Sequence, residues 1–216
     1  MGRMAKARAR LARKPANQYH HGDLRRALLQ AAVRTIQKQG VHALTLRAVG
    51  EELGVSRSAL YRHFTDKAAL LAAVAREGFR MLRVELEGAW EQGGKGHAGF
   101  DAMGEAYVRF AISEPSHYRV MFGSGFERAK ADAELAEEGG RAFGVLVGAL
   151  IELQRQRLVR QHDPLQLAHF IWALVHGIAM LAIDGALEST DIDALARFSI
   201  ERARTGIAAQ VAADAT

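Results

Sequence analysis

The sequence predicts an all-α fold. Proline is rare, with 3 in 216 residues, whereas helix-favouring alanine, leucine, glutamate and arginine are abundant. Apolar residues recur with the helical period in successive segments, which glycine, proline or capping residues separate. These features predict a small N-terminal unit of three helices followed by a larger C-terminal helical bundle.

A basic arm is predicted before the first helix. Residues 1–18 contain 6 Lys or Arg and no Asp or Glu. Such an arm can reach phosphates or an adjacent minor groove of DNA. A solvated, unfolded tail is an equal alternative, because blocks of like charge repel one another.

The first helix is expected from Leu24 to about Gln39, with Asp23 as its N-cap and Gly40 at its end. His20 and His21 precede it. Adjacent histidines at a helix entry are interpreted here as solvated or phosphate-facing, because two of them do not complete the ligand set of a metal site.

Residues 45–67 are the segment around which the chain is organised. Two short apolar-periodic stretches flank Gly54 and Val55. Gly54 can adopt the left-handed conformation that ends the first helix, and Ser56 can cap the second. This pattern predicts a helix-turn-helix, whose second helix enters the major groove of DNA. A solvated helix pair in an ordinary bundle is the alternative.

The remaining chain is predicted to be helical. A helix should run from Lys67 to about Trp90, and the glycine-rich segment 92–99 should end it. Further helices are expected at 100–113, about 129–158, 164 to about 187, and 192 to about 211, with Pro164 at a first helical position and Asp191 as a cap. Residues 116–123 are expected to form a short apolar helix or turn. The predicted domains are therefore the arm 1–18, the helix-turn-helix unit 19–67 and the helical domain 68–216.

Charge is divided unevenly between these domains. Residues 1–67 contain 14 Lys or Arg and 4 Asp or Glu, whereas the remainder contains 15 and 20. The positive charge therefore coincides with the helix-turn-helix. A polyanionic partner explains this division, because neutralised phosphates release counterions.

Several classes of protein are not expected. The chain has no cysteine, which excludes disulfides, thiolate metal sites and a cysteine nucleophile. It lacks the H-E-x-x-H, G-x-S-x-G and Walker motifs, so an enzyme using helical histidines and carboxylates has little support. We expect no cofactor and no metal. No apolar run is expected to reach the roughly 18 residues of a membrane span, and no signal peptide is evident, so a cytoplasmic location without a membrane partner is predicted.

The run from Leu44 to Leu71 resembles the DNA-binding region of TetR-family transcriptional regulators. It contains L-Y-R-H-F at 60–64 and D-K-A-A-L-L at 66–71. The resemblance implies phosphate contacts by Thr45, Tyr61, His63 and Lys67. It implies positions near base edges for Arg47, Arg57, Ser58, Ala59 and Arg62. Gly50 departs from the alanine usual in the family, at some cost in helix propensity.

The C-terminal domain resembles the Trp-His-Gly subfamily of the same family. The residues that carry this resemblance are W-A-L-V-H-G at 172–177 and H-Y-R-V-M-F-G at 117–123. Members of this kind commonly respond to small, mostly apolar molecules, and an unknown effector of that type is therefore implied.

A ligand pocket should combine apolar walls with a few polar groups. The candidate walls are Phe110, Tyr118, Met121, Phe122, Phe143, Trp172 and Met180, and the candidate polar groups are Tyr107, His117 and His176. Packing in the core is the alternative for each. His169 and His176 lie about 10.5 Å apart along one helix, too far for a shared metal.

A homodimer is predicted from the helix that begins at Pro164. It is apolar nearly all round and must be covered on most sides. The last helix carries Ser199, Ala203 and Gly206 at helical spacing, which would allow close approach. Two such helix pairs can form an isologous four-helix bundle. The dimer then carries two helix-turn-helix units related by two-fold symmetry, which match a palindromic double-stranded operator.

The leading hypothesis is a homodimeric repressor that a small apolar effector releases from its operator. An effector-independent regulator, or an activator controlled through a protein partner, is the alternative. A solid core around Trp172 would favour that alternative.

Overall fold

A computed structural model of the chain describes residues 21–123 and 132–209. Within these ranges the chain forms nine α-helices and no β-strand, so the predicted all-α fold is confirmed. The basic arm 1–18 lies outside the described residues. The helices are α1 His21–Gln39, α2 Leu46–Leu53, α3 Arg57–Tyr61, α4 Lys67–Gln92, α5 His97–Ser113, α6 Pro115–Phe122, α7 Ala133–Arg155, α8 Pro164–Ile183 and α9 Ile192–Ile207, with a 3₁₀ turn at Val41–Ala43.

The helix ends follow local capping chemistry. Ser56 Oγ accepts the N–H of Ala59 at 3.3 Å, and Gly54 has a φ of 65°, as the sequence predicted. Asp191 caps α9 through the N–H of Ala194 at 2.9 Å. The prediction for Asp23 is wrong, because α1 begins at His21 and Asp23 lies within its first turn.

The α2–α3 corner accounts for the unusual Gly50. A Cβ at this position would lie 3.0 Å from Cδ1 of Leu60, tighter than most packed contacts. Glycine therefore lets the buried Leu60 of α3 pack directly on the backbone of α2. Closer packing of the two helices offsets the lower helix propensity of glycine.

The helix α4 connects the N-terminal unit to the bundle. It packs against α1 at one side and against α5, α6 and α7 along its length. Its buried side chains begin with Leu70 and Val74 near the N-terminal unit and continue to Leu82 and Leu86 in the bundle. Among the other bundle helices, α5 contacts both α8 and α9.

The helix α8 is shorter than predicted, and it is long and apolar enough to resemble a membrane span. It ends at Ile183 instead of about Leu187, because the chain turns at Asp184 and at Gly185, whose φ is 77°. By its length and its high mean hydropathy it could cross a membrane, so the expectation that no apolar run reaches the length of a membrane span is wrong. One such helix is weak support for a membrane protein, because apolar helices of folded domains also reach this hydropathy.

Candidate DNA-reading surface and ligand cavity

Most of the predicted DNA-binding side chains are exposed on or beside α2 and α3. Thr45, Arg47, Arg57, Ser58, Tyr61 and Arg62 are exposed, whereas Ala59, His63 and Lys67 are partly buried. Their exposure follows from the amphipathic pattern, because Leu46, Val49 and Leu60 occupy the opposite, buried face. Arg62 and His63 lie just beyond the end of α3.

Local contacts orient part of this surface. The guanidinium of Arg57 lies 5.4 Å from the ring centre of Tyr61, in a cation–π arrangement. Arg47 forms a 2.7 Å ion pair with Glu51 one turn further along α2. Thr45 Oγ1 accepts the N–H of Ala48 and so caps α2. The surface is therefore rich in hydrogen-bond donors, and intramolecular contacts already hold some of its side chains in place.

Lys67 has an internal role in the structure. Its Nζ donates to the carbonyl oxygens of Val41 at 2.9 Å and His42 at 3.3 Å. The side chain thus fastens the start of α4 to the loop between α1 and α2. An ammonium group has three donors, so one remains for a phosphate oxygen.

A cavity of about 380 Å³ lies within the helical bundle. Tyr107, Phe122, Phe143 and Trp172 line it, and they belong to the set that the sequence singled out. Among the described residues, no Lys, Arg, Asp or Glu lines the cavity. The site is therefore suited to an uncharged apolar molecule.

The other six candidates lie outside the lining. Tyr118 and His176 do not line the cavity, but each is hydrogen bonded to Tyr107, which does. Phe110 faces a separate groove between α4 and α5. Met121 is fully buried against Gly78, and Met180 packs on the core. His117 contacts Glu77 of α4 and Glu114, the residue between α5 and α6.

Sequence reasoning missed most of the cavity wall. The additional lining residues include Phe79, Leu82, Leu86, Phe100, Met103 and His169. Helical periodicity identified the apolar stripe of α4, but it does not distinguish residues that face a cavity from residues that face another helix. One signal in the sequence could have indicated the cavity. The small residues of α7 at 136, 139, 140 and 142 leave room beside these rings.

Four side chains form a hydrogen-bond network at one wall of the cavity. The Tyr118 hydroxyl donates to the Tyr107 oxygen at 2.9 Å, and Trp172 Nε1 donates to the same oxygen at 3.0 Å. His176 Nδ1 lies 2.6 Å from the Tyr118 oxygen. Burial raises the pKa of Tyr107 to about 12, although its two hydrogen bonds oppose that rise. Tyr107 is consequently a neutral phenol at physiological pH.

His117 links α6 to α4. Its Nδ1 lies 3.0 Å from a carboxylate oxygen of Glu114, and its Nε2 lies 3.7 Å from Glu77, within ion-pair range but too far for a hydrogen bond. Burial disfavours the imidazolium, but the two carboxylates outweigh burial, so the pKa of His117 is raised. The interaction with His117 in turn lowers the pKa of Glu77.

This contact predicts a pH-dependent stability. The pKa of His117 is higher in the folded protein than in the unfolded chain. Its contribution to the free energy of unfolding is therefore complete below about pH 6.5 and is lost as the pH rises through the raised pKa. Glu77 contributes above its unfolded pKa and loses that contribution in acid. We expect the melting temperature to fall between pH 6 and 8, measured by circular dichroism. His117→Asn should flatten this slope, and an identical slope in the variant would contradict the assignment.

An apolar surface remains exposed on α8 and α9. Phe170 and Leu181 on α8 are 53% and 50% exposed, and Phe198 on α9 is 61% exposed. The small residues Ser199, Ala203 and Gly206 of α9 were predicted to allow close approach of a second subunit, but not all three are accessible. Ala203 is buried inside the chain, because it shares the inner face of α9 with Ile200 and Ile207. A second molecule could contact Phe198 but not Ala203.

Two family models match the chain. Residues 28–74 match the family described as bacterial regulatory proteins, tetR family, and residues 100–203 match the tetracyclin repressor-like, C-terminal domain. These ranges contain the reading surface and nearly all of the cavity lining. Neither description names the Trp-His-Gly subfamily, so that finer assignment stays a prediction.

Individual relatives agree with these matches. The chain is 39% identical to the HTH-type transcriptional repressor AcnR of Corynebacterium diphtheriae over 64 residues, 29% of this chain and 34% of that one. It is 24% identical over 188 residues to an uncharacterized HTH-type transcriptional regulator of Mycobacterium tuberculosis, covering 85% of this chain and 81% of the relative. The chain spans about half or less of the first curated relatives it matches.

The fold is also found in a solved structure of a protein with unknown function from Rhodococcus sp. RHA1. That chain is 34% identical, and the superposition has a TM-score of 0.78 and covers 88% of this chain and 98% of the other. The similarity therefore includes both the N-terminal unit and the bundle.

Proposed function

The chain belongs to the TetR family of DNA-binding transcriptional regulators, and on this premise we propose that it is a homodimeric repressor released from a palindromic operator by a small, uncharged, apolar effector. The family consists of regulators and not of enzymes, so the enzyme hypothesis is set aside. A bacterial regulator of this kind acts on DNA in the cytoplasm.

The reading surface supports binding to duplex DNA. Residues 1–67 have a charge balance of +10, from 14 basic and 4 acidic side chains, and the exposed donors lie on α2, α3 and the following turn. In the proposed complex α3 enters the major groove. Arg57, Ser58, Ala59, Arg62 and Arg47 lie near base edges, and Thr45, Tyr61, His63 and Lys67 contact phosphates.

The exposed apolar surface of α8 and α9 supports dimerisation. Only a third of the most apolar part of α8 is buried within the chain. Packing α8 and α9 of one subunit against the same helices of a second would cover Phe170, Leu181 and Phe198. The resulting isologous interface presents two α3 helices related by two-fold symmetry, which requires a palindromic operator.

Effector control rests on the cavity beside Trp172. A solid core there would have favoured an effector-independent regulator or one controlled through a protein partner, and the structure instead has about 380 Å³ of apolar space. An effector changes operator affinity only by its differential affinity for the two states of the dimer. A tenfold release requires about 1.4 kcal/mol of such coupling.

The helices α4 and α6 provide the physical connection for this coupling. Phe79, Leu82 and Leu86 of α4 line the cavity, and the first residue of the same helix, Lys67, holds the loop before α2. Phe122 of α6 also lines the cavity, and α6 packs against both α1 and α4. A ligand that displaces Phe79 or Phe122 would therefore move the reading unit.

Selection of bound sequences from a random duplex library tests the proposal directly. At physiological salt we expect an enriched palindrome whose half-sites lie about one helical turn apart or a multiple of it. Salt-sensitive binding without any enriched sequence would reject the sequence-reading role and leave the basic N-terminal region as an electrostatic anchor.

Two substitutions separate base reading from phosphate contact. Arg57→Ala should weaken operator binding by about 1 to 3 kcal/mol and relax specificity at one base pair. Lys67→Ala should weaken operator and random DNA alike and reduce the salt slope by about one. Fluorescence anisotropy over a salt series measures both quantities. Arg109→Ala in the helical domain removes the same charge from an exposed side chain and should change neither. Equal losses on operator and random DNA for Arg57→Ala would contradict its role.

A further inference from the structure

The first turn of α1 lies beside the predicted DNA contacts of the turn after α3. The guanidinium carbon of Arg25 is 5.4 Å from the ring centre of Phe64, in a cation–π arrangement. Phe64 is buried and directly follows Arg62 and His63 in the chain. Arg25 is only about one helical turn from His21, where α1 begins. The chain before α1 therefore joins the fold close to the groove that α3 enters in the proposed complex.

The basic arm 1–18 supplies positive charge at this point. It contains 6 Lys or Arg and no Asp or Glu, whereas residues 68–216 contain 15 basic and 20 acidic side chains. The contacts proposed for α2 and α3 do not use this charge. A tail that served only to keep the chain in solution would not need charges of one sign, because like charges repel one another. A polyanion next to the start of α1 accounts for them.

The spacing of the basic side chains in the arm suits a narrow groove. Lys6, Arg8 and Arg10 alternate with Ala7 and Ala9. In an extended segment alternate residues point to the same side, so the three cations share one side and the small alanines the other. The minor groove of B-DNA is only about 6 Å wide, and its A·T-rich stretches carry a negative potential that attracts Arg and Lys. The pattern therefore favours the minor groove.

The connection to α1 is long enough for this contact. Eleven positions separate Arg10 from His21, and an extended chain of that length spans up to about 36 Å. The minor groove lies about half a helical turn, roughly 17 Å, from the adjacent major groove. The segment 6–10 can therefore reach the minor groove while α3 occupies the major groove.

We propose that residues 6–10 of each subunit bind in the minor groove next to the major groove that α3 occupies, and that they favour A·T base pairs there. The inference rests on the DNA binding proposed in the preceding section. It goes beyond that section, because it assigns specificity to base pairs that α2 and α3 do not contact. A G·C pair places the guanine amino group in the minor groove, where it is a hydrogen-bond donor facing the cationic side chains.

The test varies the base pairs on either side of each half-site of the selected palindrome and leaves the half-sites unchanged. Binding of the 216-residue chain is measured by fluorescence anisotropy for A·T, G·C and inosine·cytosine pairs at these positions. An inosine·cytosine pair has the major-groove atoms of G·C but lacks the amino group in the minor groove. The A·T duplex should bind about tenfold more tightly than the G·C duplex, the size expected for one disfavoured base pair. The inosine·cytosine duplex should match the A·T duplex within about twofold.

A double substitution in the arm shows whether the arm causes this preference. Arg8→Gln with Arg10→Gln should reduce the preference to less than about twofold. It should also lower the salt slope by about two to four, because a dimer loses four charges. Arg8→Lys with Arg10→Lys keeps the charge and should keep the salt slope. Arg109→Gln with Arg155→Gln, the matched control, removes two exposed arginines of the helical domain and should change neither quantity.

Each contrary outcome has a distinct meaning. Equal affinity for the three duplexes would overturn the minor-groove contact, while an enriched palindrome would still support the proposed regulator. Inosine·cytosine binding as weak as G·C binding would place the preference in the major groove and would also overturn it. An unchanged salt slope in the glutamine variant would overturn any contact between the arm and DNA, as expected for a solvated tail or for an arm bound to the acidic helical domain. If selection yields no palindrome, the proposed function fails, but alternating A·T, G·C and inosine·cytosine polymers still test the arm by the same comparison.

Discussion

Phe198→Glu is expected to produce a monomer with at least about a hundredfold lower affinity for a palindromic operator. Phe198 is the most exposed of the large apolar side chains on α9, at 61%. In the proposed dimer its ring is covered by the second subunit, and a carboxylate there would have to give up its hydration, which costs free energy even with Arg202 of the same helix close by. A monomer reads one half-site, so the avidity from two linked heads is lost. Analytical ultracentrifugation and operator titration measure the two effects.

Val84→Glu is the matched control for this substitution. Val84 is 56% exposed and lies on α4, away from the exposed surface of α8 and α9. Introducing the same charge at this position should leave both the oligomeric state and operator affinity unaltered. A Phe198→Glu protein that remains dimeric and binds its operator normally would place the dimer interface elsewhere.

Gly139→Leu is expected to weaken ligand binding strongly while preserving operator binding. Gly139 lines the cavity on α7, and a Cβ there would lie 3.7 Å from the Phe79 ring, an ordinary contact. The rest of a leucine side chain would therefore extend into the space that the effector uses. Replacing glycine inside a helix also favours folding by up to about 1 kcal/mol, so misfolding is not the expected outcome. The binding loss should be at least about tenfold for N-phenylnaphthylamine, an uncharged dye whose emission rises in apolar surroundings.

Gly144→Leu separates cavity filling from the change in helix propensity. Gly144 is an exposed position on the same helix that does not line the cavity, and a Cβ added there would meet no heavy atom within 4 Å. The two variants should show similar gains in thermal stability, but only Gly139→Leu should lose dye binding. Normal dye affinity in Gly139→Leu would show that the ligand binds outside this cavity.

The sequence by itself determined the helical class, the helix-turn-helix and most helix ends. These features depend on short-range chemistry, such as the left-handed Gly54, the Ser56 cap and the apolar period of each helix. Family membership was also readable, because its motif lies in one contiguous stretch that crosses the α3–α4 junction. Asp23 was misassigned because several polar residues near a helix start can serve as caps, and local sequence does not select among them.

Tertiary structure alone decided which side chains face the cavity. Helical periodicity places Phe110, Phe122 and Phe143 equally on apolar faces. Only the packing of α4, α5, α6, α7 and α8 puts Phe122 and Phe143 at the cavity and Phe110 at another groove. The network of Tyr107, Tyr118 and His176 likewise joins residues separated by 11, 58 and 69 positions. Such contacts depend on how helices pack in three dimensions, and a one-dimensional pattern records only that each helix has a face to bury.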